Sequence, residues 1–171
     1  LKLWMSFWRL DDWVVLFYPD DDLKSFQGDS PNPVFPRRRI TTLYQKYTHT
    51  HTLIVSSLSG AILKSISSTD LLSNTTTLQK GSSWDPMEVE QRLIESGYQP
   101  NALYNEGDFD RRNEIVRVWP VGKSSPYRIV FFDDEIEDIS SLDEHGRPQT
   151  QELSITFLPA KEAIINESSI S

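Results

Sequence analysis

Cysteine is absent from all 171 residues, which excludes a disulfide framework and a thiolate zinc site. The three histidines, at 49, 51 and 145, are a poor start for any other metal centre. Basic charge is also short. Seventeen Lys and Arg stand against 25 Asp and Glu, a formal charge of -8. Wrapping duplex DNA needs clustered cations, so nucleic acid is not the main ligand of these residues. Long apolar runs are missing too. Leu1 to Pro19 comes nearest, but Lys2, Arg9, Asp11 and Asp12 interrupt it before about 20 apolar residues accumulate, which argues against a membrane span or a signal segment. No Gly-x-x-x-x-Gly-Lys-Ser/Thr loop occurs, so nothing here is built to cradle the phosphates of ATP. A cytoplasmic setting is the expectation.

What is present is enough for a packed core. Hydrophobic residues make up 37% of the chain and aromatics 11%, sufficient for one ordinary domain or two small ones. Leu1, Trp4, Met5 and Trp8 recur at helical spacing, and Trp13 to Tyr18 reads as a buried strand. A start at leucine, in mid-helix, with Trp4, Trp8 and Trp13 close behind, reads as a domain cut along its core, with those aromatics partly exposed. Asp20 to Pro36 reads as an irregular loop anchored by Phe26. Ile40, Leu43, Tyr44 and Tyr47 then mark a helix, with Arg37 to Arg39 in its first turn, where the dipole disfavours them. They are either a solvated helix end or a binding feature. Leu53 to Val55 reads as a second buried strand and Leu58 to Leu63 as a short helix, a strand and helix alternation that suits an α/β unit. The polar stretch from Ser65 to Asn74 is the expected boundary between two domains.

Beyond that boundary the signals sharpen. Thr76 to Lys80 predicts a strand, and Gly81-Ser82-Ser83 turns the chain into a helix with Asp85 as N-cap and Pro86 at N1. Glu88 at N3 completes a capping box, Trp84 can staple onto Val89, and Gly97 supplies the stop. Val89 with Leu93, and Met87 with Ile94, give it an apolar face to lay on the following strands. Those are Ile115 to Trp119, Tyr127 to Phe132 and Glu135 to Leu142, joined by the Pro120 to Pro126 connector and by Asp133-Asp134. Together they predict a compact antiparallel sheet with an arginine-bearing rim, in a chain of α/β (α+β) class.

Two other clusters invite chemistry. Asp133, Asp134, Glu135, Glu137 and Asp138 could serve a small metal-dependent hydrolase, but hard cations need ligands converging from several segments, and a solvated acidic turn is the commoner arrangement. His49 and His51 alternate with threonines in what reads as an exposed loop. No Ser, His, Asp constellation stands out, so no catalytic residue is assigned.

The order of residues resembles a known family. Leu93 to Tyr98, Glu106 to Phe109, Arg112, Ile115 to Pro120, Pro126 to Ile129, Phe131 to Glu137 and Leu158 to Glu162 are similar to the transcription-repair coupling factors (Mfd). Within these the likeness is to the module they share with the excinuclease protein UvrB, whose role is to bind the excinuclease protein UvrA. Phe17 to Pro19, Asp29 to Pro31, Arg39 to Tyr44 and Leu53 to Val55 resemble the flanking domain of the coupling factors more than UvrB. The likeness runs from about Trp13 to Glu162.

The resemblance implies a small antiparallel-sheet domain with one packed helix, at 71–158, inserted into a partial, degenerate nucleotide-binding-like host domain. That host would occupy 1–70 and resume at 159–171. It implies a protein-interaction module that recruits UvrA in transcription-coupled nucleotide excision repair and has no enzymatic activity of its own. A fragment of UvrB engaged in damaged-DNA recognition is the alternative. ATP and Mg belong to the motor of the full-length family, an ATP-dependent DNA translocase, and RNA polymerase and DNA to its other domains; no cofactor is expected here. The family's Arg-Gly pair falls on Arg112 and Asn113, and asparagine tolerates a positive φ where glycine is usual. The implied UvrA-binding residues are Arg112, Arg111, Phe109, Asn113 and Glu114. The arginines would offer forks to partner carboxylates and Phe109 an apolar anchor. In the alternative reading Arg111 and Arg112 pair with Asp108 and Asp110 at a solvated rim, and Phe109 packs in the core. The family's basic contacts near the helix end fall on the uncharged Gln99 and Pro100.

Overall fold

A six-stranded sheet dominates the structure, a computed structural model that describes residues 13–20, 34–62 and 64–162. Its strands are β4 (Gln99–Pro100), β5 (Asp108–Arg112), β6 (Ile115–Val118), β7 (Tyr127–Phe132), β8 (Glu135–Leu142) and β9 (Pro148–Gln151), neighbours in space in that order. From β5 onward each pairs antiparallel with the next, while β4 joins β5 in parallel. Alternation sends Phe109, Val116, Val118, Tyr127, Ile129 and Phe131 to one face, where all are buried. A bulge keeps β8 in step. Val130 pairs with Asp138 but Phe131 with Ile136, so Glu137 is the extra residue, and Ile136 and Ile139 both reach the core despite their odd spacing.

One helix covers this buried face. α4 (Pro86–Glu95) starts at Asp85, whose side chain accepts from the Met87 N–H at 2.7 Å, with Pro86 in the first turn. It ends in a Schellman motif: Gly97 has φ 90°, its N–H reaches the Ile94 carbonyl, and the Tyr98 N–H reaches that of Leu93, both at 2.9 Å. The expected capping box is only half made, because Glu88 turns to Arg92 at 3.1 Å. Trp84 is half-buried against the core with the Arg92 guanidinium 5.0 Å over its ring. Val89 and Leu93 bury as predicted, but Met87 and Ile94 are exposed, since the helix rests on the sheet by one narrow stripe.

β3 (Thr76–Gln79) and β10 (Ser154–Phe157) form a separate antiparallel pair that buries Leu78, Ile155 and Phe157. Upstream, β1 (Val14–Tyr18) and β2 (Thr52–Ser56) run parallel beside α1 (Val34–Thr48). These two strands are not the buried ones expected: Phe17, Leu53 and Val55 are exposed, and only Leu16 and Tyr18 are buried, because α1 covers a single face. α1 begins at Val34, so Val34 to Pro36 are its first turn rather than loop, and the arginines fall in the second turn. α2 (Leu58–Ile62) is the predicted short helix.

The polar stretch placed at a domain boundary contains a short helix. α3 (Ser68–Ser73) is capped by Ser67, whose hydroxyl accepts from the Asp70 N–H at 3.0 Å, and it drives Leu71 completely into the core. Tyr18, Ile40, Leu43, Leu71, Leu78 and Val89 belong to one hydrophobic cluster, so the upstream and downstream parts share a core. The expected helix at Leu1 to Trp8, the loop around Phe26 and the end of the chain from residue 163 lie outside the described residues.

Candidate protein interface

The β5–β6 hairpin carries the predicted residues, and its turn explains the asparagine. Arg112 pairs with Ile115, leaving Asn113 and Glu114 as a two-residue turn in which Asn113 takes φ 53°. That left-handed geometry strains most side chains, and asparagine tolerates it. Asp133 does the same work at φ 50° between Phe132 and Glu135, which gives the first residue of the acidic run a backbone role.

From this turn the two arginines part. Arg111 shares the inner-face parity of Val116 and Ile129, and at the rim its guanidinium closes an ion pair with Glu90 of α4 and bonds the Asn113 carbonyl at 3.3 Å. Arg112 points to the opposite face. Its side chain is 78% exposed, and its nearest carboxylate, on Asp110, lies 4.0 Å away. That carboxylate is already taken by Arg117, Nε to Oδ1 at 2.7 Å with a second close contact from Nη2. The bond to Asp110 raises the Arg117 pKa above its ordinary value, so the Arg117 guanidinium stays charged. Arg112 makes no hydrogen bond among the described residues, and its fork is open to an incoming acid.

Strand register shows what surrounds Arg112. Ile115, Val130 and Asp138 continue its row across the sheet, and the next row is Asp110, Arg117, Arg128 and Ser140. Arg128 and Ser140 are paired in that row, and the Arg128 Nε and Ser140 Oγ atoms are buried with no hydrogen-bond partner. At the edge of the face, Phe132 is 69% exposed. The outer face of the sheet thus combines an open guanidinium, half-buried Ile115 and Val130, and a bare aromatic ring.

Phe109 is elsewhere. It is 1% exposed, on the inner face, so it is a core residue and not the apolar anchor expected of it. Phe132 is the exposed aromatic ring of the outer face, and the alternation of Tyr127, Ile129 and Phe131 with Arg128, Val130 and Phe132 was the signal for it. Glu114 is exposed beside Asn113, its carbonyl accepting from the Phe131 N–H at 2.9 Å. Asp108 pairs with neither arginine; it is buried and accepts from the backbone of Tyr104 and Asn105 at 3.1 and 2.9 Å. Gln99 and Pro100 lie exposed on β4 beside Asp108 and Phe109, the end of β5 away from Arg112.

The rival clusters do not assemble. Among the described residues no three His, Cys, Asp or Glu side chains are placed to hold a metal ion. Asp138 accepts from Gln151 at 2.9 Å, and the Asp134 carbonyl from the Trp84 N–H at 2.7 Å. His49 folds back on the Gln45 carbonyl at 2.9 Å, and His51 tilts against Trp13. Among the described residues no helix is long and apolar enough to cross a membrane.

The family described as UvrB interaction domain matches residues 76–162, which hold α4, both sheets of the downstream part and every residue of the Arg112 face. The chain belongs to the UvrB interaction domain family. Relatives carry the match upstream as well. A transcription-repair-coupling factor of Bacillus subtilis is 29% identical over 91% of this chain, and that of Escherichia coli 23% over 99%. UvrABC system protein B of Kosmotoga olearia is 30% identical over 90% of the chain. The matched parts are 13%, 15% and 23% of those three proteins, so the chain spans less than a quarter of each. Both kinds of protein match most of the chain, so coverage does not separate the coupling factors from UvrB. A UvrB interaction domain is a protein-interaction module.

Proposed function

We propose that this region recruits UvrA in transcription-coupled nucleotide excision repair, as the interaction module of a transcription-repair coupling factor. The observation that carries the reading is Arg112: an arginine held at a hairpin tip, its side chain 78% exposed and its nearest acid occupied by Arg117. Such a fork matches a partner carboxylate bidentately, and arginine beside an exposed aromatic is the composition of interface hot spots. Ile115, Val130 and Phe132 supply apolar area around it, and Asn113 fixes the direction of the tip. Glu114 stands ready for a reciprocal cation, while Arg111, tied to Glu90, holds the hairpin against α4 and acts through position. Phe109 contributes from beneath by fixing the sheet.

Co-elution of the purified chain with purified UvrA on size exclusion tests the reading, and separate elution at micromolar concentrations of both contradicts it. The same module within a UvrB protein is the second reading, favoured by the 30% identity to a UvrABC system protein B over 90% of the chain. Sequence on either side of these residues separates the two, since both readings use the same face.

A further inference from the structure

Arg37 of α1 is buried to nine-tenths, yet its Nε has no acceptor, and among the described residues its guanidinium forms neither a hydrogen bond nor an ion pair. A buried cation without a counter-group is among the costliest arrangements a fold can keep. It lines a cleft of about 540 Å³. One wall is the α1 face of Val34, Arg37 and Arg38, spaced three and four apart; the other presents Tyr104, Glu106 and Trp119. Acids of that second wall are already engaged: Asp108 holds the Tyr104 and Asn105 N–H groups, and Glu106 accepts from the Gly122 N–H at 3.2 Å. The guanidinium lies close over Gly107, where a Cβ would come within 2.7 Å of Nη2.

We propose that this cleft is a carboxylate-binding site for an acidic peptide segment of a partner protein, with Arg37 taking the carboxylate inside and Arg38 attracting it at the rim. A single buried guanidinium suits a monoanion, whereas a phosphate dianion would face Glu106 and Asp108 across the same space. Tyr104 and Trp119 offer flat apolar surface to the residues on either side of the acid. The cleft lies at the opposite end of β5 from Arg112, about 13 Å along the strand, so it is separate from the proposed UvrA-binding face.

The test is an NMR titration of the 15N-labelled chain with acetyl-Glu-Asp-Leu-Glu-amide, with its Gln-Asn-Leu-Gln counterpart, and with inorganic phosphate. The Arg37 Nε–H and the amides of 104–108 are the reporters. The expected result is saturable shifts at those positions, binding of the acidic peptide about tenfold or more tighter than the amide peptide, and a similar weakening in Arg38→Glu. Arg38 is exposed, and an unchanged melting temperature shows that variant to be folded. Absence of saturable shifts at the reporters, equal response to the two peptides, tighter binding of phosphate, or undiminished binding in Arg38→Glu overturns the proposal.

Discussion

Arg39 of α1 grips Glu162 with two parallel hydrogen bonds, Nε to Oε1 at 2.8 Å and Nη2 to Oε2 at 2.6 Å, across 123 residues of sequence. The arginine side chain is 4% exposed and the glutamate 17%, so the pair ties the end of the described chain to the upstream helix largely out of water. Removing the charge from one side of such a pair weakens two charge-assisted hydrogen bonds in a poorly solvated place. Glu162→Gln is therefore expected to lower stability by about 2 kcal/mol in urea unfolding. Glu144→Gln, at an exposed turn, should change it by less than about 0.5 kcal/mol.

Tyr98 makes a second long-range tie. It is 1% exposed, its hydroxyl donates to the Leu158 carbonyl at 2.9 Å and accepts from the Val121 N–H at 3.2 Å, and its ring meets Phe157 edge-on. Burial pushes its pKa well above the ordinary tyrosine value, so the hydroxyl stays protonated throughout the neutral and mildly alkaline range. Tyr98→Phe keeps the ring but leaves the Val121 N–H and the Leu158 carbonyl unpaired. A loss of about 1–3 kcal/mol is expected from thermal unfolding, with faster amide exchange at Val121.

Asn113 tests whether the hairpin tip needs its left-handed residue. With φ at 53°, Asn113→Gly should change stability by no more than about 1 kcal/mol, while Asn113→Val should cost about 1–2 kcal/mol. Loss of dispersion in the Arg112 and Glu114 amide resonances of the valine variant would show that the strain has loosened the tip.

The helix α4 and the strands β6 to β8 were legible because local rules fix them: a capped start, a glycine stop, and short apolar, β-rich runs bounded by turn residues. What escaped the sequence depended on partners far along the chain. Arg37 and Arg39 looked like a solvated run, since nothing local shows that Glu162 or the 104–108 loop comes to meet them. The stretch from Ser65 to Asn74 looked like a linker because only Leu71 and the Ser67 cap reveal its helix. Phe109 and Phe132 were hard to tell apart by composition; strand parity separates them, and the bulge at Glu137 keeps that parity across β8. The short strands β4 and β9 carry almost no periodic signal of their own and exist because an edge was there to pair with.

The central claim, that the Arg112 face binds UvrA, is tested most directly by isothermal titration of the chain with UvrA in wild type and Arg112→Glu. Arg112 is exposed and makes no hydrogen bond among the described residues, so the reversal leaves the fold intact, as circular dichroism will verify. The account predicts a Kd at least about thirtyfold weaker, the loss of a hot-spot contact of about 2 kcal/mol. A Kd unchanged within about twofold would contradict it.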